Sequence, residues 1–455
     1  MKKIILQFIC ASLFIYFNQL HAQTKPLQIE EFKLKNGLEV RMIQYGSIPA
    51  VTIGCYVNVG KKTETPGQQY MASLLSEALL LGNEKYTRIE QDNLLAKLGS
   101  SISPVCNDNF TELKMRFLDK DASTAMELFS NILLKPTLAE DKIKIRIEEL
   151  LNYNNPYKMD ISDIADMFSS YVVFSTANPL GRHFYAAQLN KINATQLREF
   201  YKFNYTPKNT KLILAGNFDV PKMKETLEKL FGSWAAAYGE NNGSAYETDD
   251  IKGKEYYFVN KKKATQTYLQ WNKKAPEGGS KDATLFRLAS NALNTLLFDE
   301  IRAKEGKTYG IRCSYDEADN NGIYNVSTQV RNEVAYETTV SFDRVLKQFY
   351  ETGLTQEQLD KAKAAIKNRR LAIETPSSII DFYNPLLYKD TKKRDEFLTY
   401  IDAITLEQVN KGVKKYFSPS SYKLVIVGDE NVVGSQLQKI NTLVKLPVTS
   451  IEKDN

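Results

Sequence analysis

Two stretches of this chain repeat each other at a fixed separation, and that repeat constrains the fold more than any other feature. Tyr205-Thr-Pro-Lys-Asn-Thr-Lys-Leu-Ile-Leu-Ala-Gly-Asn217 matches Phe417-Ser-Pro-Ser-Ser-Tyr-Lys-Leu-Val-Ile-Val-Gly-Asp429. Pro207 falls on Pro419, Lys211 on Lys423 and Gly216 on Gly428, each pair 212 positions apart. In each copy a proline turn leads into an apolar run that a glycine stops, the pattern of a buried strand. Each copy also follows a helical stretch, Ala194 to Phe203 in the first and Thr405 to Tyr416 in the second. A unit of about 200 residues has been duplicated. A chain of 455 residues is in any case too long for one ordinary core.

The same texture recurs within each copy. Val51 to Val59 and Thr111 to Phe117 alternate like strands, and Ala122 to Leu134 has helical periodicity ending before Pro136. This mixture predicts an α+β fold of two homologous halves, each a mostly antiparallel sheet with helices packed on one side. The predicted divisions are a signal peptide at 1–22, an N-terminal half at 23–236 and a linker at 237–254. A C-terminal half at 255–447 and a tail at 448–455 complete the chain. The linker rests on Gly239 to Asp250, rich in Gly, Asn, Glu and Asp.

The first residues read as a secretory leader. Met1-Lys2-Lys3 is basic, Ile4 to Phe17 is apolar but for Gln7 and Ser12, and Leu20-His21-Ala22 offers a small residue for cleavage. The run is short for a membrane span, which needs roughly 20 residues; retention as an N-terminal anchor is the alternative. No later segment is long and apolar enough to cross a bilayer. The formal net charge is +6, of which Lys2 and Lys3 belong to the leader, leaving +4. So small an excess gives no argument for nucleic acid or an anionic membrane. Of four cysteines, Cys10 lies in the leader; Cys55, Cys106 and Cys313 form no CxxC pair and no disulfide framework. The two histidines are His21, in the leader, and His183. Once the leader is removed, no site needing two imidazoles can form within one chain.

Leu34-Lys-Asn-Gly-Leu38-Glu-Val resembles the first strand of the insulinase/pitrilysin-type metallopeptidases. Met71-Ala-Ser-Leu-Leu-Ser-Glu-Ala-Leu-Leu-Leu-Gly-Asn-Glu-Lys-Tyr86 resembles their zinc helix and the turn after it. The resemblance runs from about Ile29 to Leu443. In that family the helix carries His-x-x-Glu-His: two histidines four apart bind zinc from one face, and the glutamate is the general base. Alignment on Gly82 and Tyr86 puts Ser73, Ser76 and Glu77 at those three places. The further acidic ligand falls on Glu149 or Glu148, and the family's helper glutamate falls on Lys142. A serine hydroxyl is a poor zinc ligand. Nor does a G-x-S-x-G elbow surround either serine. The expectation is therefore no metal and no cofactor in this chain.

The second half departs from this loss. Leu297-Phe-Asp-Glu-Ile-Arg302-Ala-Lys-Glu-Gly306-Lys-Thr-Tyr309-Gly310 resembles the family's second signature. Leu296 to Glu305 reads as a helix stopped by Gly306. Thr308 to Tyr315 reads as a strand with Tyr309, Ile311 and Cys313 on one face. The resemblance implies that Arg302 and Tyr309 are catalytic, the tyrosine donating to the oxyanion on the scissile carbonyl and the arginine holding substrate or the tyrosine. Some bacterial members split these sets between two chains. This one then resembles the non-zinc subunit, with zinc in a related His-x-x-Glu-His partner, extended peptides as substrates and a periplasmic or cell-envelope location. A catalytically inactive scaffold or peptide-binding pseudopeptidase is the alternative. The resemblance places the peptide against an edge strand at Ser101 to Asn107, where Pro104 suits an edge because it cannot donate to a ladder.

Overall fold

The first half of the computed structural model contributes six strands: β1 (Gln28–Lys33), β2 (Glu39–Gln44), β3 (Ala50–Val57), β4 (Ile102–Cys106), β5 (Thr111–Leu118) and β6 (Thr210–Gly216). The second contributes β7 (Lys254–Asn260), β8 (Thr267–Ala275), β9 (Thr308–Asp316), β10 (Gly322–Val330), β11 (Tyr422–Gly428) and β12 (Leu443–Leu446). The structure describes residues 27–65, 67–155, 157–174, 178, 181, 186–235, 251–278, 280–316, 322–371, 375–384 and 394–448. The expected leader, His183 and Gly239 to Asp250 of the expected linker lie outside the described residues.

The strands form two six-stranded sheets, ordered β1-β2-β6-β3-β5-β4 and β12-β7-β11-β8-β10-β9. The repeated stretches take the same slot in each. β6 runs parallel to β2 and antiparallel to β3, as β11 runs parallel to β7 and antiparallel to β8. One outer position differs: β1 joins β2 as an antiparallel hairpin from upstream, whereas β12 adds parallel to β7 from downstream. At the opposite edges stand β4 and β9, each paired to a single neighbour.

One face of each sheet carries the main helical layer. In the first half Leu74, Leu75, Phe129, Leu197, Leu227 and Phe231 reach down from four helices into one core with Val51, Ile53 and Leu113. In the second, Phe286, Leu293, Phe342, Leu346 and Val413 do the same over Leu269, Trp271 and Leu424, with Trp271 stacked on Phe342 at 4.2 Å between ring centroids.

The other face of each sheet is covered by the opposite half. Helix Ile161–Phe174 of the first half lays Ile164, Ala165, Phe168, Val172 and Val173 on Val259, Ile323, Val425 and Val427 of the second sheet. Helix Pro376–Phe382 of the second half sets Ile379 and Ile380, with the following Tyr383, against Ile43, Tyr56, Ile213 and Ala215 of the first. Hence all eight residues of β3 are buried, while β5 keeps alternating burial. Polar contacts cross as well. Lys423 Nζ donates to the Val172 carbonyl at 2.7 Å, Asn272 Nδ2 to Ser169 Oγ at 3.1 Å, and Lys114 pairs with Asp381. The fit beneath Pro376–Phe382 is close: a Cβ on Gly54 would stand 2.8 Å from the Tyr56 ring and 3.0 Å from Ile380. Among the described residues no helix is long and apolar enough to cross a membrane.

Candidate functional site

The helix that resembles a zinc helix forms at Met71–Ala78. Its start is unusual, because Tyr70 holds φ at +72°, a left-handed conformation that non-glycine residues seldom adopt. The buried Glu64 carboxylate accepts from the Tyr70 and Ala72 amides at 3.1 and 2.9 Å. That satisfies donors at the helix N-terminus and places an anion where the helix dipole favours one.

None of the three positions expected to matter is available to a metal. Ser73 Oγ donates to the Tyr70 carbonyl at 3.3 Å, and the buried Ser76 Oγ to the Ser73 carbonyl at 2.7 Å. Glu77 Oε2 accepts from Arg146 Nε at 2.6 Å. Arg146 Nη1 donates in turn to Glu149 Oε2 at 2.7 Å. Of the two glutamates open from sequence, Glu149 is thus the one that turns to the cluster. Lys142 lies outside it, 3.4 Å from Asp141. The Glu77 carboxylate, first among the neighbours, pushes the Arg146 pKa above its ordinary value, so the guanidinium is a permanent cation. Zinc needs deprotonated side-chain ligands, and the residues present do not fit it: the hydroxyls are spent on the helix and the carboxylates on a guanidinium. Among the described residues no group of three His, Cys, Asp or Glu stands together to hold a metal. Beside this cluster lies a cleft of ≈ 320 Å³ lined by Glu77, Leu80, Leu81, Arg88, Pro104 and Arg146. Pro104 belongs to β4, which is indeed the edge strand, and Val105 next to it is half exposed.

In the second half the corresponding corner is open. The helix begins at Lys281, capped by Ser280, rather than near Leu296 as the sequence suggested. Its end widens into a π-helical turn at Phe298–Lys304, a form often met at functional sites. Gly306 then reverses the chain with φ at +63°. Around this turn Arg344 bridges Glu300 and Glu305 at 3.2 and 2.8 Å, and Lys307 pairs with Glu305 at 2.8 Å. Arg302 joins no ion pair among the described residues. Its guanidinium lies 5.4 Å from the Phe298 ring centroid, and Nε donates to the Tyr309 carbonyl at 3.1 Å.

The structure therefore joins Arg302 to Tyr309, but through the Tyr309 backbone rather than its ring. The ring does not share the inward face with Ile311. Thr308 pairs with Val330 and Ile311 with Thr328, so Tyr309 and Gly310 together face Gln329 alone. This bulge turns the strand and leaves Tyr309 90% exposed while Ile311 is buried. Two hydroxyls hold it: Thr328 Oγ1 donates to Thr308 Oγ1 at 2.7 Å, and Gly310 N–H donates to Thr308 Oγ1 at 3.1 Å. The Tyr309 hydroxyl has no partner among the described residues. Sequence reasoning singled out neither Arg146 nor the two threonines. Arg146 and Glu149, three apart on a helix, were the readable sign of the first.

Two halves of this topology, with a helix end meeting the outer strand in each, define a peptidase-like fold whose metal corner is closed. Residues 41–167 match the insulinase family, peptidase family M16, and residues 191–366 match the peptidase M16 inactive domain. The chain belongs to the insulinase family. It is 21% identical over 411 residues to an uncharacterized zinc protease, YmxG, of Bacillus subtilis, covering 88% of this chain and 98% of the relative. It is 20% identical to a non-peptidase homolog, also YmxG, of Helicobacter pylori, covering 82% of this chain and 87% of the relative. A peptidase M16 inactive domain from Pseudomonas fluorescens superposes with a TM-score of 0.80 at 18% identity, over 89% of this chain and 98% of the other. A protease from Helicobacter pylori does so at 0.76 and 17%, over 89% and 100%. At these identities the superpositions establish the fold.

Proposed function

We propose that this chain is the non-zinc subunit of a heteromeric insulinase-family peptidase. It supplies peptide binding and oxyanion stabilisation to a related partner that carries His-x-x-Glu-His and the zinc. The observation that carries this reading is the state of Tyr309: 90% exposed, on a bulge, with its hydroxyl unbonded and the neighbouring arginine outside any ion pair among the described residues. A large side chain held out by a built backbone device suits contact with something beyond this chain. A phenol donates one hydrogen bond, which is what a developing oxyanion requires. The free edge of β4 suits an extended peptide, whose main chain would pair there with little sequence choice. Export through the leader would put the pair in a bacterial periplasm or cell envelope.

A second reading, an inactive scaffold or peptide-binding pseudopeptidase, is favoured by the closed Glu77–Arg146–Glu149 cluster and its neighbouring cleft. One experiment separates the two. The tagged chain is purified gently from its native envelope and its companions are identified by mass spectrometry. A companion of similar size bearing His-x-x-Glu-His, with peptidase activity in the pair and in neither chain alone, is expected. Recovery without such a companion would favour the scaffold.

A further inference from the structure

Ser73 stands at one ligand position and Ser76 at the general base's, while Glu77, at the second histidine's position, and Glu149 leave two carboxylates on two different helices. Two carboxylates approaching one another repel, and that repulsion is what a bound dication would ordinarily relieve. Here a side chain relieves it. Arg146 puts Nε 2.6 Å from Glu77 and Nη1 2.7 Å from Glu149. It is about two-thirds shielded from solvent, as Glu77 is, with relative side-chain exposures of 30% and 32%. The guanidinium fork is planar and rigid, so it bridges two acceptors with little loss of freedom. It also connects helix Met71–Ala78 to helix Glu140–Tyr153, the two elements that a shared metal would connect.

We infer that Arg146 is a fixed internal cation in the metal's place, and that it, rather than the missing histidines alone, closes this corner to zinc. The inference is independent of whether the chain works with a partner. It concerns electrostatics. A zinc ion bound to Glu149 would sit within a few ångströms of a permanent positive charge, and one carboxylate cannot serve both.

The test rebuilds the helix ligands and varies only the arginine. Ser73→His/Glu77→His restores two imidazoles four apart on one helix face; Ser76, which is buried, is left alone. Zinc affinity is measured by competition with a chromogenic chelator, on full-length chain whose circular dichroism matches the parent. With Arg146 retained, binding is expected to be weak. Adding Arg146→Ala, or Arg146→Gln should the alanine variant fold poorly, is expected to tighten it by about 100-fold, since a cation is removed and Glu149 is released. Equal affinity with and without Arg146 would overturn the inference, and so would a folded Arg146 variant that still binds no zinc. Stoichiometric zinc in the untagged parent chain would overturn it outright.

Discussion

At the outer edge of the first sheet, Glu77, Arg146 and Glu149 satisfy one another and the nearby serines bond back into their own helix. At the outer edge of the second, Arg302 makes one backbone contact and Tyr309 extends its hydroxyl into solvent. The two corners occupy equivalent positions, where a helix ends against β4 or β9. Fold alone does not determine what such a corner can do. One holds its charges in internal balance. The other keeps an exposed donor, and a bulge, a π-helical turn and an ion-pair network hold the backbone that presents it.

The largest expected effect tests this contrast directly. In the proposed pair, Tyr309→Phe should lower kcat on the order of 10²–10³ while leaving the melting temperature unchanged, because the lost hydroxyl bonds to nothing among the described residues. Unchanged kcat would make the two corners alike in being inert. Next comes the architecture the halves share. Phe168→Ala empties a fully buried site beneath the second sheet and should cost about 3–4 kcal/mol in urea unfolding. A cost below about 1 kcal/mol would show that the exchanged helix does not hold the second sheet.

A third prediction concerns a charge in the second sheet. Burial lowers the Lys273 pKa from 10.5 to about 8, and its ammonium donates to the Ser418 carbonyl at 2.6 Å and to the Ser421 carbonyl. The folded chain therefore binds fewer protons than the unfolded chain between pH 8 and 10.5. Stability rises with pH wherever the unfolded state holds more protons. The wild-type chain should thus gain relative to Lys273→Met across that window, by up to about 3 kcal/mol, and show no such trend below pH 8. A flat difference from pH 8 to 10.5 would contradict the assignment. The smallest effect belongs to the closed corner: Ser76→Ala removes one buried hydrogen bond to the Ser73 carbonyl, and should cost about 1 kcal/mol and leave the proposed pair's activity intact. A large loss of activity would mean that corner still takes part.

Sequence alone revealed the elements whose signals are local. The proline-to-glycine strands at 207–216 and 419–428, the α+β texture and the Gly306 stop could all be read because neighbouring residues encode them. What stayed hidden depends on partners far along the chain. Arg146 gains its meaning from Glu77, 69 positions away. The bulge at Tyr309 exists only in register with Gln329, and no strand pattern in 308–315 announces it. The apolar face of Ile161–Phe174 signals burial but not which sheet it covers. The helix start at Lys281, capped by Ser280, lies well upstream of Leu296 to Glu305, the stretch that the Gly306 stop makes legible.

The exchanged helices have a consequence for how the chain is made. The strands of the first sheet are complete once Gly216 has emerged, yet the helix that covers their far face lies at Pro376–Phe382, 160 positions later. At 5–20 residues per second that interval is roughly 10–30 s. Throughout it, Ile43, Tyr56, Ile213 and Ala215 lack the helix that covers them in the finished chain. The nascent first half is thus a natural client for a holding chaperone, and a stop codon placed in the linker should yield an aggregating fragment rather than a free-standing domain.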